Sequence, residues 1–258
     1  MGIVAWLPTF AFQAALLMRA LRDMRLLKYR FFYLYIAVDF VGDSFVLPAS
    51  AHFSPETYAK IYWRYEFGSD LLACGILYEM CRYAFSNCPQ AKVFARTSQV
   101  LIWLTAVGSG CIYFLKETIP RFPRINSFAF SRDMLTSQAI VLVVLIGGVL
   151  YFGIPLGKNL WGLVLGFGLQ IGGVAGVFAS DTFFRPFYDR FAVDLMMLVV
   201  YGALIIWLVT LWNYHPDPVI GLDQVRVEYQ RVMIDRIRGI KEFVLAFLTA
   251  PFKPILPS

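Results

Sequence analysis

Two carboxylate pairs stand where a membrane-crossing chain should be apolar. Asp39 and Asp43 are four residues apart in RFFYLYIAVDFVGDSFVLPA, and Glu66 and Asp70 are four apart in KIYWRYEFGSD. Residues at i and i+4 share one helix face, so each pair projects to a single side. A carboxylate inside a span costs about 2.5–3.5 kcal/mol on insertion scales and is by default a functional hypothesis. Three arrangements offset that cost. The acids can share protons or bind a cation. They can pair with Arg64, Arg185 or Arg190 as counter-charges. Or they can line a watered pocket that holds a cationic or hydroxyl-rich ligand. The structural alternative is an interhelical hydrogen-bond cluster that only fixes the fold. Asp194 is expected at the rim of the same pocket.

Depth brings the pairs together. At 1.5 Å per residue, Asp39 and Asp43 lie about 12 and 18 Å from the inner edge of their span. Glu66 and Asp70 lie about 9 and 15 Å from the outer edge of theirs. In a hydrocarbon core of about 30 Å these levels overlap between the midplane and the outer third. Consecutive antiparallel helices on a short loop are neighbours, so the pairs are expected to meet. Glu79, nine residues after Asp70, falls on the opposite face near the inner edge, with Arg82 three residues on as its expected local partner. Tyr58, Tyr62, Trp63 and Tyr65, with Phe183, Phe184, Phe187 and Tyr188, read as interfacial aromatic belts.

The elements that carry these residues are apolar runs. The chain is 59% hydrophobic and 16% charged, with a mean hydropathy of +0.64. Soluble domains are near 45–50% apolar and about 25% charged, so this one is read as an all-α polytopic membrane protein. Seven transmembrane helices are expected, at about 3–20, 31–50, 60–83, 97–115, 134–156, 159–180 and 191–213. Residues 1–213 form the membrane domain and 214–258 a cytoplasmic tail. The first span opens MGIVAW, without the basic start of a signal peptide, and is expected to be retained. Fifteen of the 23 lysines and arginines fall on the side of the loop RALRDMRLLKYR. The positive-inside rule then places the N-terminus outside and the C-terminus in the cytoplasm. The formal net charge of +6 is read as contact with anionic headgroups rather than nucleic acid.

Two further stretches bear on packing and partners. GLVLGFGLQIGGVAG sets Gly162, Gly166, Gly168, Gly172 and Gly176 at four-residue steps, a pattern that brings helix backbones close in lipid. Gln170 among them needs a partner inside the bundle. Past the seventh span, residues 223–248 read as one basic amphipathic helix, with Tyr229, Met233, Ile237, Ile240, Val244 and Phe247 on its apolar face. It is expected to lie on the inner membrane surface or to contact a membrane or cytoplasmic partner.

Several chemistries are excluded. The only histidines, His52 and His215, lie outside the spans, so no intramembrane zinc site is expected. Cys74, Cys81, Cys88 and Cys111 form no C-x-x-C pair and read as small apolar residues or free thiols. No lysine sits mid-span to carry a retinal Schiff base. Neither a phosphate-binding G-x-x-x-x-G-K-[ST] nor a nucleophile-elbow G-x-S-x-G occurs. Catalytic residues, metals and cofactors are therefore not expected.

The third span and its exit, YWRYEFGSDLLACGILYEMCRYAFSNCPQAKVFAR, resembles a set of uncharacterised bacterial seven-helix integral membrane proteins. Their similar stretch has an aromatic-rich start, an ILYE-like acid and a basic cytoplasmic exit. The resemblance implies the seven-helix fold, a bacterial cytoplasmic membrane and a place for Glu79 in the shared pattern. It implies no particular activity. A sensor or receptor with an outer-half acidic pocket at Asp39, Asp43, Glu66, Asp70 and Asp194 is the first expectation. A proton- or cation-coupled transporter or channel using the same acids is the alternative, and a non-catalytic membrane assembly subunit the next. The lack of a visible inverted repeat ranks transport second.

Overall fold

The structure, a computed structural model, describes residues 7–49, 52–86, 91–118, 127–183 and 185–215. The start of the first expected span and the amphipathic helix near 223–248 lie outside the described residues. Among the described residues there are seven α-helices and no strand: α1 Leu7–Arg22, α2 Arg30–Ala49, α3 Pro55–Phe85, α4 Lys92–Thr118, α5 Ser127–Tyr151, α6 Lys158–Phe183 and α7 Arg185–Leu211. A 3₁₀ turn over Met24–Lys28 links the first two.

Among the described residues, three helices are long and apolar enough to cross a membrane, over Ser131–Tyr151, Lys158–Phe178 and Phe191–Leu211. The exposed surface agrees with an apolar surrounding. Leu104, Val107, Val143, Leu165, Leu198 and Val209 are all exposed. Such an outward array would leave a large apolar area facing water, which soluble monomers avoid.

Local signals explain where the helices begin and end. Ser54 caps α3, its side chain accepting from the Thr57 N–H, with Pro55 in the first turn. This cap starts α3 five residues before the expected edge at 60. At the tight α5–α6 join, Gly153 takes a left-handed φ of 60°. The Ile154 N–H donates to the Val149 carbonyl at 3.0 Å and the Gly153 N–H to that of Leu150 at 3.1 Å. This is the Schellman closure, and Pro155 follows it.

The helices close into a ring in which α7 returns to α1, and α3 sits centrally against α2, α4, α5 and α6. The most extensive interface is the α6–α7 hairpin. A Cβ on Gly162 would collide with Thr210, one on Gly166 with Trp207, and one on Gly173 with Val199. The stripe expected at four-residue steps is thus only partly the contact face. Gly172 and Gly176 look onto open space, and a Cβ on Gly168 would only just touch Leu142. The reason is angular: Gly168 is about 200° around the helix from Gly166, so the five glycines divide between two faces.

Packing is uneven along the bundle axis. Leu16, Phe32, Ile36, Leu77, Leu145 and Trp207 are all nearly inaccessible. They occupy the C-terminal halves of α1, α3, α5 and α7 and the N-terminal half of α2, which in an antiparallel bundle is one end. Here Phe32 packs edge-on against Trp207 at 5.1 Å, and Trp207 meets Phe167 at a tilt at 5.2 Å. Asn159, fully buried, ties the same end: its amide donates to the Thr210 and Asn213 carbonyls and accepts from the His215 N–H. One of the last carbonyls of α7, that of Thr210, is thereby satisfied, and the exit from the helix is tied down. Arg19 adds a further bond to the Trp212 carbonyl.

Candidate functional site

Above this base the helices part around a cavity of about 510 Å³. That size falls within the range of small-molecule sites. Its wall takes Asp39 and Asp43 from α2 and Glu66 and Asp70 from α3. The other helices contribute amides and apolar floor: Gln13 of α1, Gln138 of α5, Gln170 and Phe167 of α6, and Met196 and Val200 of α7. Tyr35, Tyr62 and Tyr65, with Thr9, Ser69 and Ser131, add hydroxyl groups. Among the described residues, no lysine, arginine or histidine lines the cavity.

The α2–α3 register sets the relative heights of the acids. Tyr65 lies where a Gly42 Cβ would be, and Phe31 where a Gly75 Cβ would be. Between these points the Tyr65 hydroxyl donates to Asp39 Oδ1 at 2.9 Å, with Ser69 Oγ at 3.5 Å from the same oxygen. All of these contacts fit one antiparallel alignment, in which Glu66 lies level with Val41 and Asp70 level with Ala37. The expected facing pairs therefore interleave. From the open end the order is Asp43, Glu66, Asp39, Asp70, alternating between helices with a rise of about 3 Å per step.

Gly42 is the local device that permits this. With no side chain there, the Tyr65 ring crosses α2 closely and reaches Asp39. Tyr65 accordingly points into the bundle, where the aromatic spacing had suggested a belt. Asp43 accepts from the Gln13 amide at 3.5 Å. Gln138, almost completely buried, donates to the Asp70 backbone carbonyl at 3.1 Å, and Gln170 to the Tyr35 hydroxyl at 2.7 Å. The partner sought for Gln170 is thus found across helices. Gln13 and Gln138 escaped notice in the sequence, although each is an isolated amide in an apolar helix. Two buried acceptor oxygens, Gln13 Oε1 and Gln170 Oε1, have no hydrogen-bond partner. Both residues line the cavity, so donors from a bound molecule would satisfy what the chain does not.

Asp194, Arg64 and Glu79 are elsewhere. Asp194 is exposed and does not line the cavity. Two residues before Met196, it lies about 200° around α7 from that wall residue and so on another face of the helix. Arg64 is exposed on α3 and is not in the lining either. The side chains of Arg185 and Arg190 lie outside the described residues. Glu79 does not make the expected local pair with Arg82. It is buried, and its Oε2 accepts from the Phe31 backbone N–H at 3.1 Å, capping the start of α2 from another helix.

Among the described residues, no three His, Cys, Asp or Glu side chains gather closely enough to hold a metal ion. The arrangement instead offers spaced acceptors along a shaft, suited to a cation that carries several N–H donors or to protons passed among carboxylates. Set against known proteins, the chain matches no protein family, no curated protein and no solved structure.

Proposed function

We propose that this chain is a seven-span helical membrane protein of sensor or receptor type that binds a small organic cation in the acidic cavity. One observation carries the reading: among the described residues, four carboxylates, two unpartnered amide oxygens and three tyrosines line a single space with no basic side chain. An ammonium or guanidinium group supplies the donors that such a lining lacks. In this reading all seven helices span a bacterial cytoplasmic membrane. The close-packed end, which carries Arg19, Arg22, Lys28, Arg30, Arg82 and Lys158, faces the cytoplasm by the positive-inside rule. The cavity then opens toward the outer half. The tail helix near 223–248 passes the bound state to the inner membrane surface or to a partner protein.

The interleaved order of Asp43, Glu66, Asp39 and Asp70 favours one other reading, in which protons or a small cation step along the four acids in coupled transport. One experiment separates the two. The purified full chain is tested in nanodiscs by calorimetry against small alkylammonium and guanidinium salts, and in proteoliposomes for proton and sodium flux. Receptor function predicts saturable binding that the Glu66→Gln, Asp70→Asn variant weakens at least about tenfold, a loss of about 1.4 kcal/mol, with no flux from either protein. Flux that the variant abolishes would replace the receptor by a transporter. Neither binding nor flux, with a lower melting temperature in the variant, would leave the acids an assembly role.

A further inference from the structure

A second and larger space opens at the other end of the bundle, independent of the acidic cavity. It is a groove of about 1250 Å³ between the end of α1, the 3₁₀ turn and the crossing of α2 over α3. Its rim is basic: Lys28, Arg30 and Arg82 all line it. Lys28 is positioned there, its Nζ 4.4 Å above the Tyr83 ring while the Tyr83 hydroxyl donates to the Lys28 carbonyl at 2.8 Å. The carboxylate within the groove, Glu79, has an oxygen engaged by the Phe31 N–H, and three cations outnumber it.

Below the rim the walls turn apolar. Leu21, Leu34 and Ala37 line the groove, and Leu21 and Leu34 are widely exposed. From Arg30 to Ala37 the helix rises about 10 Å, roughly the distance from a headgroup phosphate to the upper acyl chain. Between the two zones lies Tyr33. It is only 5% exposed, its hydroxyl has no hydrogen-bond partner, and it lines the groove. A buried hydroxyl left without a partner points to an acceptor supplied from outside the chain.

We infer that this groove binds one anionic phospholipid, its phosphate held by Lys28, Arg30 and Arg82, its glycerol-ester oxygen by Tyr33, and an acyl chain along Leu21, Leu34 and Ala37. A free anion would match the rim alone. The apolar wall and the Tyr33 hydroxyl beneath it favour the lipid, as basic recesses between membrane helices bind acidic headgroups.

The test uses the full chain in mixed vesicles of phosphatidylglycerol and phosphatidylcholine, extracted into mild detergent and weighed by native mass spectrometry. Phosphatidylglycerol is expected to be retained about tenfold over phosphatidylcholine, since a basic rim near the membrane surface attracts the anionic headgroup. The Lys28→Gln, Arg30→Gln, Arg82→Gln variant should lose that preference. Should this variant fail to fold, Arg82→Gln alone should lower the preference severalfold. Ala37→Trp, which fills the apolar wall and leaves every cation in place, should displace the lipid as well. Equal retention of the two lipids by the native chain, or an unchanged preference in the basic variants, would overturn the site. Displacement of the lipid by inorganic phosphate with Ala37→Trp still retaining it would show that the rim binds anions without the acyl wall, and would overturn the lipid assignment.

Discussion

Glu79 shows how much a single acid can be misjudged from its spacing. Three residues before Arg82 on the same helix, it has the sequence of a surface ion pair. In the fold, however, the first N–H groups of α2 come to rest beside it. A helix start without donors' partners is a stronger claim on a buried carboxylate than an exposed arginine able to reach water. Glu79→Ala should therefore lower stability by about 1–3 kcal/mol, the cost of a buried N–H left unsatisfied. Glu79→Gln, which keeps an acceptor oxygen, should lose less. Thermal unfolding of the purified variants in detergent checks this, and equal melting points for Ala and native chains would remove the cap. The four acids of the cavity were legible in the sequence because charge in an apolar run is conspicuous. Tyr65, Gln13 and Gln138 were not, because tyrosine also suits an interface and an amide carries no charge.

At the scale of elements, the helices were readable from run lengths of about 20 apolar residues. Their edges depended on finer signals. Ser54-Pro55 extended α3 toward its start, and Gly153 stopped α5 where the apolar pattern ran on to 156. The glycines of α6 divide by what lies opposite them. At Gly166 a methyl meets the Trp207 indole, and at Gly172 it meets nothing. Gly166→Ala should destabilise by about 1–3 kcal/mol through overpacking. Gly172→Ala should be neutral or stabilising by up to about 1 kcal/mol, because alanine is the better helix former. Opposite signs in thermal melts of the two variants are the expected result. Matching destabilisation would mean that Gly172 too is covered by a neighbour.

For the whole molecule, the sequence led to a membrane protein, and three helices of the structure are apolar and long enough to cross. The proposal of seven spans with the close-packed end in the cytoplasm rests on which loops carry lysine and arginine. It makes a direct prediction in a cysteine-free background. A cysteine replacing His52, exposed before α3, should react with a membrane-impermeant maleimide in intact cells. One replacing Ser86, exposed at the far end of the same helix, should react only after permeabilisation. The reverse pattern would invert the molecule, and labelling of both in intact cells would remove α3 from the spans. The interleaved heights of the acids lay beyond sequence reading for a related reason: they follow from where Gly42 and Gly75 let aromatic rings cross, a contact between helices rather than a property of either.

The open cavity over a close-packed base also sets how the bundle responds to compression. Tightly packed interiors yield little to pressure, whereas internal space is the volume that pressure removes. The buried core around Phe32, Ile36 and Trp207 is therefore stiff, and the space around Asp39, Asp43, Glu66 and Asp70 is compliant. Squeezed hydrostatically, the molecule would narrow around its acids while its aromatic core kept its shape.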